Sequence, residues 1–228
     1  MQWETPEKPA EIAEQRIIKA ILDGIFPINS YLPSERDLSG KIGVTRPTLR
    51  EALQRLARDG WIEIHQGKTT RVRDYWTEGN LNVLSSISKF PDHLSEDFVA
   101  NLLQIRLLLC PTYSFMAAIN HPEEIISFLE NAPQLDNSPE VFSDYDFRLH
   151  QKLTQCSGNP IFTLILNGFK ELFSQKALFY FQNEKARAHS HGFYRDLKSA
   201  FQENKPHLVF DISKKIMNES IEIWKNPS

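Results

Sequence analysis

The strongest constraint on the fold is a pair of short helices separated by a glycine turn within residues 33–60. A residue suited to an N-cap precedes each helix, and a glycine stands between the two. These signals are, in chain order, Ser34 with Asp37 three residues later, Gly43, Thr45, and Pro47 in the first turn of the second helix. Leu49, Leu53 and Leu56 recur at helical spacing and predict its buried stripe. This order is typical of a helix-turn-helix.

The flanking residues extend this motif into a larger unit. Apolar residues at helical spacing predict an amphipathic helix over 10–25. After the motif, β-prone runs at 61–65 and 69–73 are joined by three residues around Gly67, a combination typical of a β-hairpin. A hairpin placed directly after a helix-turn-helix predicts a winged helix.

The remainder of the chain predicts a helical bundle. Residues 74–82 contain Gly and Asn and indicate a linker. Helical periodicity then recurs in seven segments punctuated by proline: 94–110, 112–120, 122–131, 141–156, 160–181, 184–203 and 206–224. About seven amphipathic helices joined by short loops predict an antiparallel bundle. We therefore expect a mainly α chain with a winged-helix domain at 1–73, a linker at 74–82 and a helical domain at 83–228.

Charge is unevenly distributed along the chain. The total is −3, yet residues 36–73 carry nine Lys and Arg against four Asp and Glu, a net +5. The rest of the chain therefore carries −8. This segregation indicates a phosphate-facing module attached to an acidic body.

Within the basic module, Arg46, Thr48 and Arg50 stand at the start of the second helix of the motif, where a recognition helix contacts DNA. Positions 46 and 50 are four apart and share a face, and the planar fork of arginine matches guanine O6 and N7. Arg36 can reach a phosphate or a base, and Gly67 allows the hairpin tip a close approach to the minor groove. The alternative is a solvated cationic face and an ordinary turn.

Composition and motifs exclude several other classes. Hydrophobic residues make up 41% of the chain, which is ordinary for a globular protein. Cys110 and Cys156 lie far apart and indicate reduced core thiols. With no signal peptide and no apolar run near the roughly 20 residues that span a bilayer, we expect a cytoplasmic protein without a membrane partner. There is no nucleophile elbow and no Gly-rich phosphate loop, so an enzyme is not expected.

Residues 33–38 and 44–61 resemble the GntR family of bacterial winged-helix regulators. Further matches at 101–103, 157–161, 164–168 and 222–224 extend the resemblance over essentially the whole chain, to the FadR subfamily. The resemblance implies a homodimer that binds palindromic double-stranded operator DNA and is released by long-chain fatty acyl-CoA, with no other cofactor. It also implies repression of fatty acid degradation genes and activation of unsaturated fatty acid biosynthesis genes. The C-terminal domain is then the one that binds effector and dimerises.

Two sets of site residues follow from the resemblance, with some departures. The DNA-contacting set is Arg36, Thr45, Arg46, Thr48, Arg50, Gln66 and Gly67. Pro47 replaces a hydroxyl residue, and Gln66 stands where the subfamily has a side chain that can become cationic. The acyl-CoA-contacting positions are Arg106, Ser220 and Trp224. Tyr180 lies in an aromatic run at 177–181 that can form the wall of the acyl tunnel, the alternative being plain core packing. Met217 replaces a glycine, so a bulky thioether stands beside the expected ligand and can change the chain-length preference.

Three alternatives stay open at this stage. A salt bridge to a bundle carboxylate would satisfy Arg106 without ligand. Asp146 and His150 match half of the Asp-x-x-x-His metal set of related regulators, but Tyr194 and Asn218 occupy the other two positions, so we expect a polar network and no metal. The alternative function is a regulator that responds to a small carboxylate metabolite and depends on a metal.

Overall fold

A computed structural model describes residues 8–65, 67–93 and 96–225. The chain divides into two compact units, Met1–His93 and Leu94–Ser228. Most of it is helical, with one small two-stranded antiparallel sheet. The expected fold class, a mainly α chain with a winged helix-turn-helix and a C-terminal bundle, is confirmed.

The first unit contains the expected motif. Its elements are α1 (Pro9–Leu22), α2 (Glu35–Ile42), α3 (Arg46–Asp59), β1 (Ile62–Glu63), β2 (Arg71–Val72), α4 (Leu81–Ser88) and a 3₁₀ turn (Pro91–His93). Ser34 caps α2 and Thr45 caps α3 through their side-chain oxygens, as their positions predict. Gly43, at φ +78°, ends α2 in the left-handed conformation that glycine adopts without steric cost. The last two residues of the 74–82 segment begin α4.

The core of this unit lies between the first three helices. Leu49 and Leu56 of α3 are fully buried, together with Ile17 of α1. Trp61 and Ile62, where the wing begins, are fully buried as well. Burying an aliphatic side chain of this size contributes about 1.5–3 kcal/mol. The buried face of α3 therefore fixes the helix in place, and its opposite face is exposed.

The wing is shorter than the periodicity predicted. Strands of two residues replace the expected 61–65 and 69–73, with Ile62 opposite Val72. Arg71 anchors the hairpin base, where its guanidinium contacts Glu63, Glu78 and Asn29. These side-chain contacts add to the few backbone hydrogen bonds between the strands and stabilise the base of the hairpin.

The second unit is a bundle of seven described helices. They are α5 (Glu96–Asn120), α6 (Pro122–Leu129), α7 (Pro139–Cys156), α8 (Pro160–Gly168), α9 (Lys170–Gln182), α10 (Glu184–Gln202) and α11 (Pro206–Lys225). The core is formed largely by aromatic and aliphatic side chains of α5, α7, α10 and α11. Cys110 and Cys156 are both buried and free, as expected.

Two predicted boundaries in the bundle are wrong. The segments 94–110 and 112–120 form one helix, α5, with Pro111 inside it. Buried Cys110 and Tyr113 on either side of the proline keep both halves packed in the core, which offsets the missing hydrogen bond. The segment 160–181 is two helices, because α8 ends at Gly168.

The prediction that no segment is long and apolar enough to cross a membrane is also wrong by length and composition. Among the described residues, Phe98–Asn120 has that length and a mean hydropathy of 1.5. A helix packed in the core of a bundle meets the same criteria, because its inner face must be apolar. Cys110, Tyr113 and Ala117 of α5 lie in that core.

Candidate functional sites

The first turns of α3 present the predicted polar side chains. Arg46 and Arg50 are exposed, and Thr48 is half-buried. The hydroxyls of Thr45 and Thr48 lie 2.8 Å apart, and the Thr48 N–H donates to Thr45 Oγ1 at 3.4 Å. Within the described part of the chain, Arg46 has no ion pair. This end of α3 therefore offers two cations and two hydroxyls on a rigid, capped helix.

Arg50 differs from Arg46 because a carboxylate holds it. Its Nε donates to Glu35 Oε2 at 2.7 Å, so the pair joins the first residue of α2 to the second turn of α3. Arg36 is 78% exposed, and its Nε lies 3.7 Å from Asp37 Oδ1, beyond hydrogen-bond distance. All three arginines therefore lie at the surface. Among the described residues Arg46 has no ion pair, Arg36 has a long one, and Arg50 is held by a hydrogen bond.

The wing tip is a tight turn at Gly67. Its φ is +74°, and a Cβ there would meet open space. The Lys68 N–H donates to the His65 carbonyl at 3.3 Å and closes the turn. Gln66, the other predicted wing contact, lies outside the described residues.

The bundle contains a cavity of about 130 Å³. All five residues predicted to contact acyl-CoA line it: Arg106, Tyr180, Met217, Ser220 and Trp224. Most of the remaining wall is aliphatic or aromatic, from α5, α8 and α9. Such a mixture of apolar wall and few polar groups is typical of a small-molecule site.

The polar part of the cavity centres on Asp146. Arg106 Nη2 donates to Asp146 Oδ2 at 2.9 Å, and the Tyr194 hydroxyl donates to Oδ1 at 3.0 Å. Asp146 is nearly buried, with 7% of its side chain exposed, so these two donors compensate a charge that would be costly alone. The Arg106 guanidinium also lies 4.7 Å from the centroid of the Phe173 ring. Arg106 therefore has the salt bridge that sequence reasoning left open, and its Nε has no partner among the described residues.

His150 lies close to the pair of Arg106 and Asp146 and is neutral. It is completely buried, and its Nδ1 is 2.7 Å from the Tyr113 hydroxyl. Burial, and then the nearby Arg106 charge, lower the pKa of His150 to about 3. In the described residues no three potential metal ligands cluster. Asp146 and His150 instead belong to a polar network with Arg106, Tyr113 and Tyr194.

On the wall formed by α11, Met217 and Ser220 are buried. The Ser220 hydroxyl donates to the Ile216 carbonyl at 2.8 Å. The Tyr180 hydroxyl is buried close to Ser220 without reaching hydrogen-bond geometry, and burial raises the pKa of Tyr180 to about 12. Tyr180 thus presents a neutral, unsatisfied hydroxyl at the cavity.

Family comparisons cover both units. The model of the family described as "Bacterial regulatory proteins, gntR family" matches residues 9–72, and that of the "FadR C-terminal domain" matches residues 73–227. The chain belongs to the FadR group of the GntR family. The resemblance carried by its motifs is therefore confirmed.

Individual relatives agree with this membership. A "Fatty acid metabolism regulator protein" of Shewanella denitrificans is 44% identical over 83% of this chain and 80% of its own length. One of the same name from Cronobacter sakazakii is 39% identical over 96% and 91%. Both are named as regulators rather than enzymes, which supports the prediction that this FadR-group chain is not an enzyme.

The fold has a counterpart among solved structures. A protein called Lar, described as controlling the expression of the Listeria monocytogenes agr system, aligns with a TM-score of 0.67. The alignment covers 99% of this chain and all of that chain at 15% identity. At that identity the likeness concerns the fold alone.

Sequence reasoning missed the partners of the site residues in this FadR-group chain. Glu35 lies fifteen positions before Arg50, a spacing that no single helix or strand connects. Phe173 lies in the first turn of α9, just after the helix boundary at 168–170 that periodicity did not resolve. Tyr113 lies 37 residues before its hydrogen-bond partner His150 and on a different helix, so no local pattern connects the two.

Proposed function

We propose that this protein binds operator DNA as a regulator of fatty acid metabolism and is released by long-chain fatty acyl-CoA. The observation that carries the proposal is the cavity in which Arg106, Tyr180, Met217, Ser220 and Trp224 meet. These five residues, four of them chosen through the resemblance and Tyr180 from the aromatic pattern, lie on three different helices and line one cavity. The names of the relatives support the metabolic assignment.

The DNA half of the proposal rests on the winged helix. Exposed Arg46 and Arg50 read the major groove, Arg36 supports them through a phosphate or base, and Gly67 brings the wing to the minor groove. Thr45 and Thr48 supply hydroxyls for phosphates. A homodimer places two such units on a palindrome, with half-sites one helical turn or a multiple apart. DNA as partner places the protein in the cytoplasm.

The ligand half requires the cavity to change. At about 130 Å³ it is well below the roughly 300–1,000 Å³ of small-molecule sites, so a long acyl chain must widen it by moving bundle helices. In our proposal this rearrangement, passed on through residues 74–82, leaves the two winged helices mismatched with the operator half-sites. Operator affinity then falls by the coupling free energy. At promoters the same binding represses degradation genes and activates unsaturated fatty acid biosynthesis genes, depending on operator position.

The test is operator binding measured by fluorescence anisotropy, with and without palmitoyl-CoA. Free coenzyme A and palmitate are the controls, because each carries only half of the ligand. We expect release by palmitoyl-CoA and by neither control. Equal operator affinity in all four samples would contradict the proposal.

The alternative, a metal-dependent regulator of a carboxylate metabolite, makes a different prediction for the same sample. Elemental analysis would then find zinc or nickel in stoichiometric amount. The engagement of both Asp146 oxygens by Arg106 and Tyr194 argues against it.

A further inference from the structure

The ion pair between Glu35 and Arg50 links the two helices of the helix-turn-helix. Glu35 is the first residue of α2, where the N-terminal end of the helix dipole favours a carboxylate. Arg50 lies in the second turn of α3, and its Nε donates to Glu35 Oε2 at 2.7 Å. The side chains are 42% and 69% exposed, respectively.

An ion pair this exposed contributes little to stability, because water screens it. Its consequence is geometric. Binding at Nε restrains the guanidinium, and neither of its two terminal amino groups is used in the hydrogen bond to Glu35. Those two groups provide parallel N–H donors, the pattern that guanine O6 and N7 accept.

The three arginines of the site differ in this respect. Arg46 has no ion pair among the described residues, and Arg36 only approaches Asp37 at 3.7 Å. Arg50 is the one that a carboxylate on another helix holds at hydrogen-bond distance. A side chain that is already oriented loses less rotamer freedom when it binds a base. The Glu35 charge also repels the phosphates of any duplex, whatever its sequence.

We propose that Glu35 is a positioning residue that determines operator specificity. It holds Arg50 in the orientation that reads guanine, whereas its charge lowers affinity for every duplex alike. This inference rests on the proposed function, since it presupposes that the winged helix binds DNA. Glu35 thereby raises the ratio of operator affinity to non-specific affinity without itself contacting a base.

The test compares variants of the full-length protein on two duplexes. One is the sequence that the wild type selects from a pool randomised over about 20 base pairs, two helical turns. The other is a scrambled duplex of the same composition. Glu35→Gln keeps an acceptor for Arg50 Nε and removes the charge, whereas Glu35→Ala removes both. Glu51→Ala is the matched control, because Glu51 is an exposed carboxylate next to Arg50 in sequence that pairs with Arg55.

We expect all three variants to bind the scrambled duplex more tightly than the wild type, because each loses one negative charge. The affinity ratio between the two duplexes should fall about tenfold in Glu35→Ala, the scale of one guanine contact. It should stay near the wild-type value in Glu35→Gln and Glu51→Ala. In an Arg50→Ala background, Glu35→Ala should lower the ratio no further, since Glu35 acts through Arg50.

Three results would overturn the role of Glu35. They are an unchanged ratio in Glu35→Ala, an equal loss in Glu35→Gln, or the same further loss after Arg50 is removed. Failure of the wild type to prefer any duplex over its scrambled form would instead overturn the proposed function. Circular dichroism of each variant separates these outcomes from unfolding.

Discussion

Among single residues, Arg50 should matter for DNA binding and contribute little to the stability of the fold. Its side chain is 69% exposed and its ion pair with Glu35 is screened by water, so Arg50→Ala should change the free energy of unfolding by no more than about 0.5 kcal/mol. Loss of its guanine contact should cost about 1–3 kcal/mol of operator discrimination. Anisotropy with the selected duplex and urea unfolding measure the two quantities. Arg195→Ala, an exposed arginine of the bundle, is the control. Loss of folding in Arg50→Ala would make Arg50 structural.

His150 predicts a pH dependence of stability. In the folded protein the pKa of His150 is lowered to about 3, against about 6.5 in the unfolded chain. Above pH 6.5 both states are neutral at this site and it contributes no slope. As the pH falls from 6.5 toward 3, His150 becomes protonated in the unfolded chain but stays neutral in the folded protein. The free energy of unfolding therefore falls by up to about 1.4 kcal/mol per pH unit.

The variant His150→Gln tests this slope, because glutamine offers Tyr113 an acceptor and does not titrate. Urea unfolding between pH 7 and pH 4 should show a shallower loss of stability for the variant than for the wild type. Identical slopes would contradict the assignment of a neutral, buried His150.

Met217 fills part of the cavity where the subfamily has glycine. Met217→Ala should lower the free energy of unfolding by about 2–5 kcal/mol, because Met217 is buried. It should also shift the preferred ligand toward longer acyl chains, since the cavity gains volume. Calorimetric titration with acyl-CoAs of increasing length measures the shift. Met116→Ala, a half-buried methionine of α5 that does not line the cavity, should leave the preference unchanged. If both variants prefer the same acyl chain length, Met217 does not determine that preference.

At the scale of elements, the N-cap of α3 joins stability to DNA binding. Thr45→Ala should cost about 0.5–2 kcal/mol of unfolding free energy, because the Thr48 N–H loses its acceptor. Thr45→Ser should recover most of that loss. Thermal unfolding and operator binding, measured on both variants, check it. A Thr45→Ala variant as stable as the wild type would show that the cap contributes nothing and that packing, of Leu49 among others, holds this end of the helix.

Elements with strong local signals were predictable from the sequence. The caps at Ser34 and Thr45 and the glycine at 43 mark helix ends through interactions within a few residues. The course of α5 was not predictable in this way. Pro111 usually ends a helix, and only the burial of its neighbours Cys110 and Tyr113, which depends on α7 and α11, explains why the helix continues. Gly168 shows the opposite error, a stop signal overlooked inside a periodic run.

In the candidate sites, too, local features were predictable and long-range contacts were not. Arg46 and Arg50 could be chosen from the helix-turn-helix pattern, because their types and positions are local properties, whereas Trp224 was chosen only through the resemblance to the family. Their partners could not: Glu35 reaches Arg50, and Tyr194 reaches Asp146 across 48 residues, only in the folded chain. The state of each site residue, free or restrained, therefore needed the structure.

Across the whole molecule, the proposed function couples the cavity in the bundle to the DNA-binding surface of the winged helix. In the proposed function the cavity widens to take a long acyl chain, which links ligand binding to bundle packing. Such coupling is reciprocal: the factor by which acyl-CoA weakens operator binding equals the factor by which operator weakens acyl-CoA binding. For ordinary allosteric proteins this factor is about 5–150.

The most direct test measures both sides of this cycle on one sample. Operator Kd is determined with and without saturating palmitoyl-CoA, and palmitoyl-CoA Kd is determined by calorimetry with and without operator. We predict two equal factors, each well above one. An operator Kd that saturating palmitoyl-CoA leaves unchanged would contradict the account.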